Sequence, residues 1–162
     1  MEALGEDGTP LHNVEPAYLN VLRLRTLVNW LPLVVAALVL DRTVLDDMPV
    51  QGLLPGLVAV LAVIIIFVAP RRVWRRLGYR LDPALLQVVR GWMFHTDTVV
   101  PFVRVQHIDV TRGPLDKMFG TATLVVHTAG THNSVVTLPG LAPDRAADIR
   151  DVIRGHIRTD LE

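Results

Sequence analysis

The chain has 162 residues, of which 51% are hydrophobic, and 16 basic residues balance 16 acidic ones. This length fits one ordinary domain, or a small domain beside a membrane anchor. The chain contains no cysteine, which excludes a disulfide framework, a thiolate nucleophile and metal ligation by thiolates.

The N-terminal segment, residues 1–17, contains four acidic residues and no apolar periodicity. A flexible tail is therefore predicted over residues 1–17. A secretory signal starts with basic residues, whereas this chain starts with acidic ones, so we expect no cleavage. The sequence assigns no role to the acidic tail.

Two apolar segments follow within residues 18–76. Residues 48–70 hold no ionisable side chain, and at about 1.5 Å per helical residue they cross the hydrocarbon of a bilayer. The earlier segment has only 15 uncharged residues in a row, so Arg25 and Arg42 must extend their side chains to the interfaces. A buried helix of a soluble core is the alternative for this earlier segment. Because the two segments are so close in sequence, we predict a transmembrane α-hairpin with spans at about 24–45 and 50–70.

The distribution of basic residues predicts the orientation of this hairpin. Two arginines precede the first span, one lies in the loop and five follow the second span. Basic flanks stay in the cytoplasm, so we expect a multi-pass protein of the cell membrane with both termini cytoplasmic. The charges of the two parts of the chain agree with this orientation. Residues 1–70 carry three arginines and seven acids, whereas residues 71–162 carry thirteen basic residues and nine acids.

Four arginines surround one tryptophan directly after the second span. We call these residues the basic collar and predict that they lie at the membrane interface: Arg71, Arg72, Trp74, Arg75 and Arg76. Their simplest role is to fix the topology. Each basic side chain near an anionic leaflet can also contribute about 1 kcal/mol, so the collar is a candidate site for anionic lipid headgroups.

After residue 77 the apolar pattern changes to that of β-strands. Strands are predicted at 78–81, 84–94, 98–100, 103–110, 121–128 and 134–138. The alternation slips near Gln106 and His107, which predicts a β-bulge. Ala122, Leu124 and Val126 are predicted to point inward.

The end of the chain predicts a helix. Pro139 and Gly140 are expected to end the sheet, and apolar residues then recur at helical spacing from about Pro143. Short antiparallel strands followed by one amphipathic helix predict an all-β barrel or sandwich, capped by a C-terminal α-helix, over residues 77–162.

Several strings in the strand-rich part form a recognisable set. They are VVPFVRVQHI at 99–108, GPL at 113–115, FG at 119–120, LVVHTAG at 124–130 and PGL at 139–141. Together they resemble the signature of the membrane-flanked bacterial pleckstrin-homology-like (PH-like) proteins of the YdbS type. The likeness covers about residues 18–160. It implies a PH-like fold of two nearly orthogonal sheets closed by a C-terminal helix, and a loosely defined role beside a larger relative with several such domains. No catalytic residues come with it.

The polar residues within the longest string are the candidate binding residues. These are Arg104, Gln106 and His107. The alternative is structural, because Arg104 and Gln106 could satisfy carbonyl groups at the strand irregularity.

Four histidines raise the question of a metal site: His95, His107, His127 and His132. No carboxylate in the sequence clearly completes a ligand set around them. Ser134, the only serine, has no recognisable catalytic partners, and no Gly-rich phosphate loop is present. We therefore expect no enzyme activity, no metal and no cofactor.

The leading hypothesis is a two-span membrane protein whose cytoplasmic PH-like domain binds another protein, as an interaction or scaffold module. That partner would be a larger membrane relative or further copies of the same chain. The alternative is a module that binds anionic lipid headgroups through the basic collar, and the least favoured is a metal-dependent enzyme built on the histidines. The lipid bilayer is a partner in each case, and no nucleic-acid partner is expected.

Overall fold

Two long apolar helices are prominent in the computed structural model, which describes residues 11–44, 50–91, 95–129 and 135–159. Helix α1 is Tyr18–Val44 and helix α2 is Leu53–Arg75. Both are long and apolar enough to cross a membrane, and most of their large apolar side chains are exposed, as a lipid-facing surface requires. The two predicted N-terminal helices are confirmed. α1 begins before its predicted span and α2 ends after its own.

At the loop that connects the two helices, Asp41 of α1 contacts Gly52, the residue before α2. The carboxylate of Asp41 is buried, and the backbone N–H of Gly52 donates to its Oδ1 at 2.9 Å and to its Oδ2 at 3.2 Å. Gly52 immediately precedes α2, where backbone N–H groups have no partner inside the helix. A residue at the end of α1 therefore caps the start of α2.

The strands form two antiparallel sheets. The four-stranded sheet has the order β1-β2-β3-β4 and the three-stranded sheet has the order β5-β6-β7. The strands are β1 (His12–Asn13), β2 (Gly78–Leu81), β3 (Leu85–Gly91), β4 (His95–Pro101), β5 (Val105–Thr111), β6 (Ala122–Thr128) and β7 (Val135–Leu141). One turn of 3₁₀ helix, Phe102–Arg104, connects the two sheets.

The core lies between the sheets and under the C-terminal helix α4, Pro143–Thr159. Side chains from all three layers are fully buried there, including Leu86, Phe102, Leu124 and Ile149. Full burial of such a side chain stabilises the fold by about 1.5–3 kcal/mol. Ala122, Leu124 and Val126 point inward as predicted. The predicted sandwich capped by a C-terminal helix is confirmed, and the sheets are not closed into a barrel.

The segment 11–17 contradicts the prediction of a flexible tail over 1–17. β1 pairs with β2, and Leu11 and Val14 are buried. The segment is polar overall, which suggested a tail, but its two apolar side chains are buried against the folded domain. Residues 1–10 of the predicted tail lie outside the described residues.

Local predictions had different outcomes. The bulge is confirmed, because the register of β5 and β6 shifts between Val105 and His107. The prediction that Pro139 and Gly140 end the sheet is wrong, since β7 continues through both to Leu141. Pro139 is tolerated there because β7 is an edge strand. The connection before β6 forms a short helix, α3 (Pro114–Phe119).

Candidate functional site

A groove separates the free edge of β4 from the facing ends of β6 and β7. One wall consists of residues 96–101, and the other of Arg104, Thr128, Ala129 and Val136, around a volume of about 350 Å³. A second cavity of about 170 Å³ continues along β4 towards Arg90 and Val135. We call the two cavities together the β4 groove. Its residues come from both sheets, so the sandwich itself builds it.

The three predicted binding residues fall on two surfaces. Arg104 ends the 3₁₀ turn and lines the β4 groove, and its exposed guanidinium makes no hydrogen bond or ion pair with the described residues. Gln106 and His107 are exposed at the bulge and the following position of β5, and neither lines the groove. The structure therefore separates Arg104 from the other two.

His107 belongs to a histidine pair on the outer surface of the three-stranded sheet. Nε2 of His107 lies 2.9 Å from Oδ1 of Asp109, and Nε2 of His127 lies 3.6 Å from its Oδ2. Asp109 lies two residues after His107 on the same face of β5, and the pairing of His107 with His127 across β5 and β6 brings the second histidine to the same carboxylate. Among the described residues, no group of three or more His, Asp or Glu side chains is arranged to hold a metal ion. His132 and Ser134 lie outside the described residues.

The basic collar occupies the last turns of α2. The side chains of Arg71, Arg72, Arg75 and Arg76 are exposed, so all four guanidinium groups are accessible. Trp74 differs, because its ring packs against the domain core and its Nε1 donates to the carbonyl of Glu15 at 3.1 Å. The tryptophan thus contributes to the contact between α2 and the domain.

Residues 14–18 link the helices to the sandwich, and we call them the strap. The N–H of Glu15 donates to the carbonyl of Gly140 in β7 at 2.8 Å, while its own carbonyl accepts from Trp74. Val14 and Tyr18 are buried in the same core as the sheets. Sequence reasoning missed the strap. The available signal was the spacing of Leu11, Val14, Tyr18 and Val21, which are apolar positions three or four residues apart.

Two polar contacts organise α4. Nε of Arg145 donates to the hydroxyl of Tyr79 in β2 at 3.2 Å, and this hydrogen bond raises the pKa of the Arg145 guanidinium. The hydrogen bond from Arg150 to Asp151 lowers the pKa of the Asp151 carboxyl. Of these two contacts, only the bond between Arg145 and Tyr79 joins α4 to another element, and none of these residues lines the β4 groove.

Comparison with known proteins agrees with this architecture. The family described as bacterial PH domain matches residues 26–157. The UPF0699 transmembrane protein YdbS of Bacillus subtilis (strain 168) is 30% identical over 150 residues, covering 89% of this chain and 91% of that protein. No solved structure matches significantly. Both matches include the apolar helices as well as the sandwich, and the chain therefore belongs to the bacterial PH domain family as a YdbS-like membrane protein.

Proposed function

We propose that this chain is a two-pass protein of the cell membrane with both termini in the cytoplasm. Its PH-like domain serves as a protein-interaction or scaffold module, and the partner is a larger membrane relative with PH-like domains or a second copy of the chain. The arginines at the C-terminal end of α2 support the orientation, because basic residues flank the cytoplasmic ends of spans and only Arg42 lies near the other end.

The observation that carries the proposal is the shared core of helix α1 and the sandwich. Tyr18 and Val21 of α1 are buried in the same cluster as Leu138 and Leu141 of β7. The domain is thereby held at a fixed place beside the first helix. A partner in the same membrane can then contact the hairpin and the domain together, which increases affinity through linked binding sites.

Lipid binding is the second candidate, and the exposure of the four collar arginines favours it. Each of them can contribute about 1 kcal/mol near an anionic leaflet. Binding of lipid headgroups and retention of this end of α2 in the cytoplasm depend on the same four positive charges. The exposure of the collar is therefore consistent with both roles. The likeness to PH domains adds nothing to the lipid role, because a shared fold does not fix a ligand.

Cross-linking in intact membranes, followed by purification of the full chain in mild detergent, tests the leading proposal. We expect a stoichiometric partner or a homo-oligomer in the cross-linked fraction. A chain recovered only as an uncross-linked monomer contradicts the proposal.

Native mass spectrometry of the same preparation tests the second candidate. Retention of anionic lipid, lost when the four collar arginines are replaced by glutamine, favours headgroup binding. Equal lipid retention by the two proteins argues against it.

A further inference from the structure

Two of the four edge strands of the sheets, β7 and β4, differ in the contacts made to their backbone groups. Along β7, the carbonyl of Gly140 accepts a hydrogen bond from the N–H of Glu15, and the carbonyl of Thr137 accepts one from Nη2 of Arg90 at 3.1 Å. Contacts from outside the sheet thus occupy backbone groups of this edge strand. β4 is also an edge strand, and within the described residues its edge borders the groove.

The direction of the β4 backbone groups follows from the antiparallel register. Ala84 and Phe102 are opposite each other, since Leu85 pairs with Pro101, and the N–H of Phe102 donates to the carbonyl of Ala84 at 2.9 Å. Hydrogen-bonded pairs alternate with non-bonded pairs along an antiparallel ladder. The backbone groups of residues 96, 98 and 100 therefore point to β3, and those of Asp97 and Val99 point away from it.

The hydrogen bonds between β3 and β2, on the other side of β3, lead to the same orientation of the β4 backbone groups. The N–H of Asp82 donates to the carbonyl of Leu85 at 3.0 Å, so the odd-numbered residues of β3 bond to β2 and the even-numbered ones to β4. Thr98 is opposite Val88 and Val99 is opposite Gln87. Val88 therefore bonds Thr98, and the N–H and C=O of Val99 face outward.

The lining of the groove shows that this outward side is the groove. Six consecutive residues, 96–101, form its wall. Alternate side chains of a strand point to opposite faces, so consecutive residues all line one cavity only when the strand presents its edge to it. The hydrogen-bonding groups of Asp97 and Val99 are consequently exposed within the groove. In the described part of the chain, no hydrogen bond from another segment reaches them.

The shape and surface of the groove suit an extended chain. At about 3.3 Å per residue, the six wall residues give a length of about 20 Å. Val99 and Val135, which line the groove, are 52% and 48% exposed, and Val103 of the adjoining turn is 78% exposed. Apolar side chains at alternate positions of a bound strand would cover such valines.

Polar groups specify the occupant further. Arg104 offers a cationic group without a partner among the described residues, which favours an acidic side chain at that end of the groove. Asp97 accepts a hydrogen bond from Nε2 of Gln87 at 2.6 Å through Oδ2, whereas its Oδ1 is buried without a hydrogen-bond partner. A buried acceptor of this kind is costly, and the carboxylate of Asp97 adds a negative charge to the β4 wall, away from which an acidic side chain of the occupant should lie.

We propose that the β4 groove binds an extended segment of a partner protein, which adds to the free edge of β4 as a further strand and carries an acidic side chain opposite Arg104. The segment pairs with Asp97 and Val99, because Pro101 at the next outward position has no N–H to donate. This inference rests on the proposed interaction function and names the surface that performs it.

A single pair of substitutions isolates the backbone contribution. Val99→Pro removes the outward N–H and leaves the bonds to β3 in place, and the preceding extended Thr98 is compatible with proline. Val99→Ala is the matched control, because it also removes the valine side chain but keeps the N–H. Both are made in the full chain in native membranes, and a photoreactive residue at position 135 captures the bound segment.

Strand addition predicts that cross-linking through position 135 persists with Val99→Ala and is lost with Val99→Pro. A synthetic peptide of the cross-linked segment then serves as the probe. We expect about tenfold weaker binding to Val99→Pro than to Val99→Ala, and a similar loss for Arg104→Glu. In a paired strand, alternate N–H groups of the peptide point towards β4 and away from it. N-methylation of the first set should abolish binding, and N-methylation of the second set should leave it unchanged. This experiment uses the wild-type chain, so it tests the proposal even if Val99→Pro fails to fold.

Two failures are distinguishable. If the wild-type chain captures a partner, but Val99→Pro captures it equally well or the cross-links fall outside the groove, the strand-addition proposal is overturned and the interaction function stands. If the wild-type chain captures no partner from any position, including probes on the hairpin, the interaction function itself fails. Binding that tolerates N-methylation at every position also overturns strand addition.

Discussion

The ring of Tyr18 lies so close to the backbone of Gly140 that a Cβ on Gly140 would come within 2.6 Å of Tyr18 Cγ. This contact joins the start of α1 to β7. At the other connection, α2 ends at Arg75 and β2 begins at Gly78, so only two residues separate the membrane helix from the sheet. Both helices of the hairpin are therefore attached to the domain without a flexible linker.

Gly140→Ala tests the contact between Tyr18 and β7. The backbone φ of Gly140 is 78°, a left-handed conformation that costs other residues about 1–2 kcal/mol, and the new methyl group would overlap the Tyr18 ring. Overpacking adds about 1–3 kcal/mol. We expect the free energy of unfolding in detergent to fall by about 2–5 kcal/mol in total.

Gly120→Ala is the control for backbone strain alone. Its φ is 69° and no atom lies within 4 Å of the added Cβ, so only the conformational cost applies. The difference between the two substitutions measures the close packing on Tyr18. Equal destabilisation by both would contradict the proposed role of this contact.

Trp74→Phe tests the strap. Phenylalanine keeps most of the aromatic surface but removes the N–H that donates to the carbonyl of Glu15. A hydrogen bond of this kind contributes about 1 kcal/mol, so we expect amide exchange of residues 11–18 to become about fivefold faster. Hydrogen–deuterium exchange measures it. Trp30→Phe, within α1, should leave exchange in the strap unchanged, and an equal effect of both substitutions would argue against the bond.

Asp41→Ala tests the junction at the other end of the hairpin. The substitution removes the acceptor of the Gly52 N–H, which water then replaces, and we expect a loss of about 1 kcal/mol in resistance to denaturing detergent. Asp41→Asn keeps one oxygen acceptor and should retain part of the stability. Thr43→Ala is the comparison, because Thr43 bonds only to carbonyls of its own helix. No difference between Asp41→Ala and Thr43→Ala would show that the cap is unimportant.

The features predicted from sequence are those that local patterns determine. The helix pair follows from the length of two apolar segments, and the bulge at Val105 and His107 follows from a slip in alternation that would otherwise turn apolar side chains outward. The inward positions of β6 follow from the same period-two rule. Each of these depends on neighbours in sequence.

The features that sequence reasoning missed depend on distant partners. Leu11 and Val14 become core residues only because β2 and β7 lie beside them. The β4 groove requires the relative placement of two sheets, and no string of residues encodes it. Arg104 was selected as a polar residue in a recognisable string, whereas its position in the groove follows from the 3₁₀ turn between the sheets.

Cysteine labelling tests the orientation on which the proposed function depends. The natural chain has no cysteine, so single exposed cysteines can be introduced by Thr43→Cys at the end of α1 and Val152→Cys on α4. With both termini in the cytoplasm, a membrane-impermeant maleimide should label the first in intact cells and the second only after permeabilisation. The reverse pattern would place the PH-like domain outside the cell. Replacing the four collar arginines by glutamine should raise the inverted fraction, because basic residues after a span retain it in the cytoplasm.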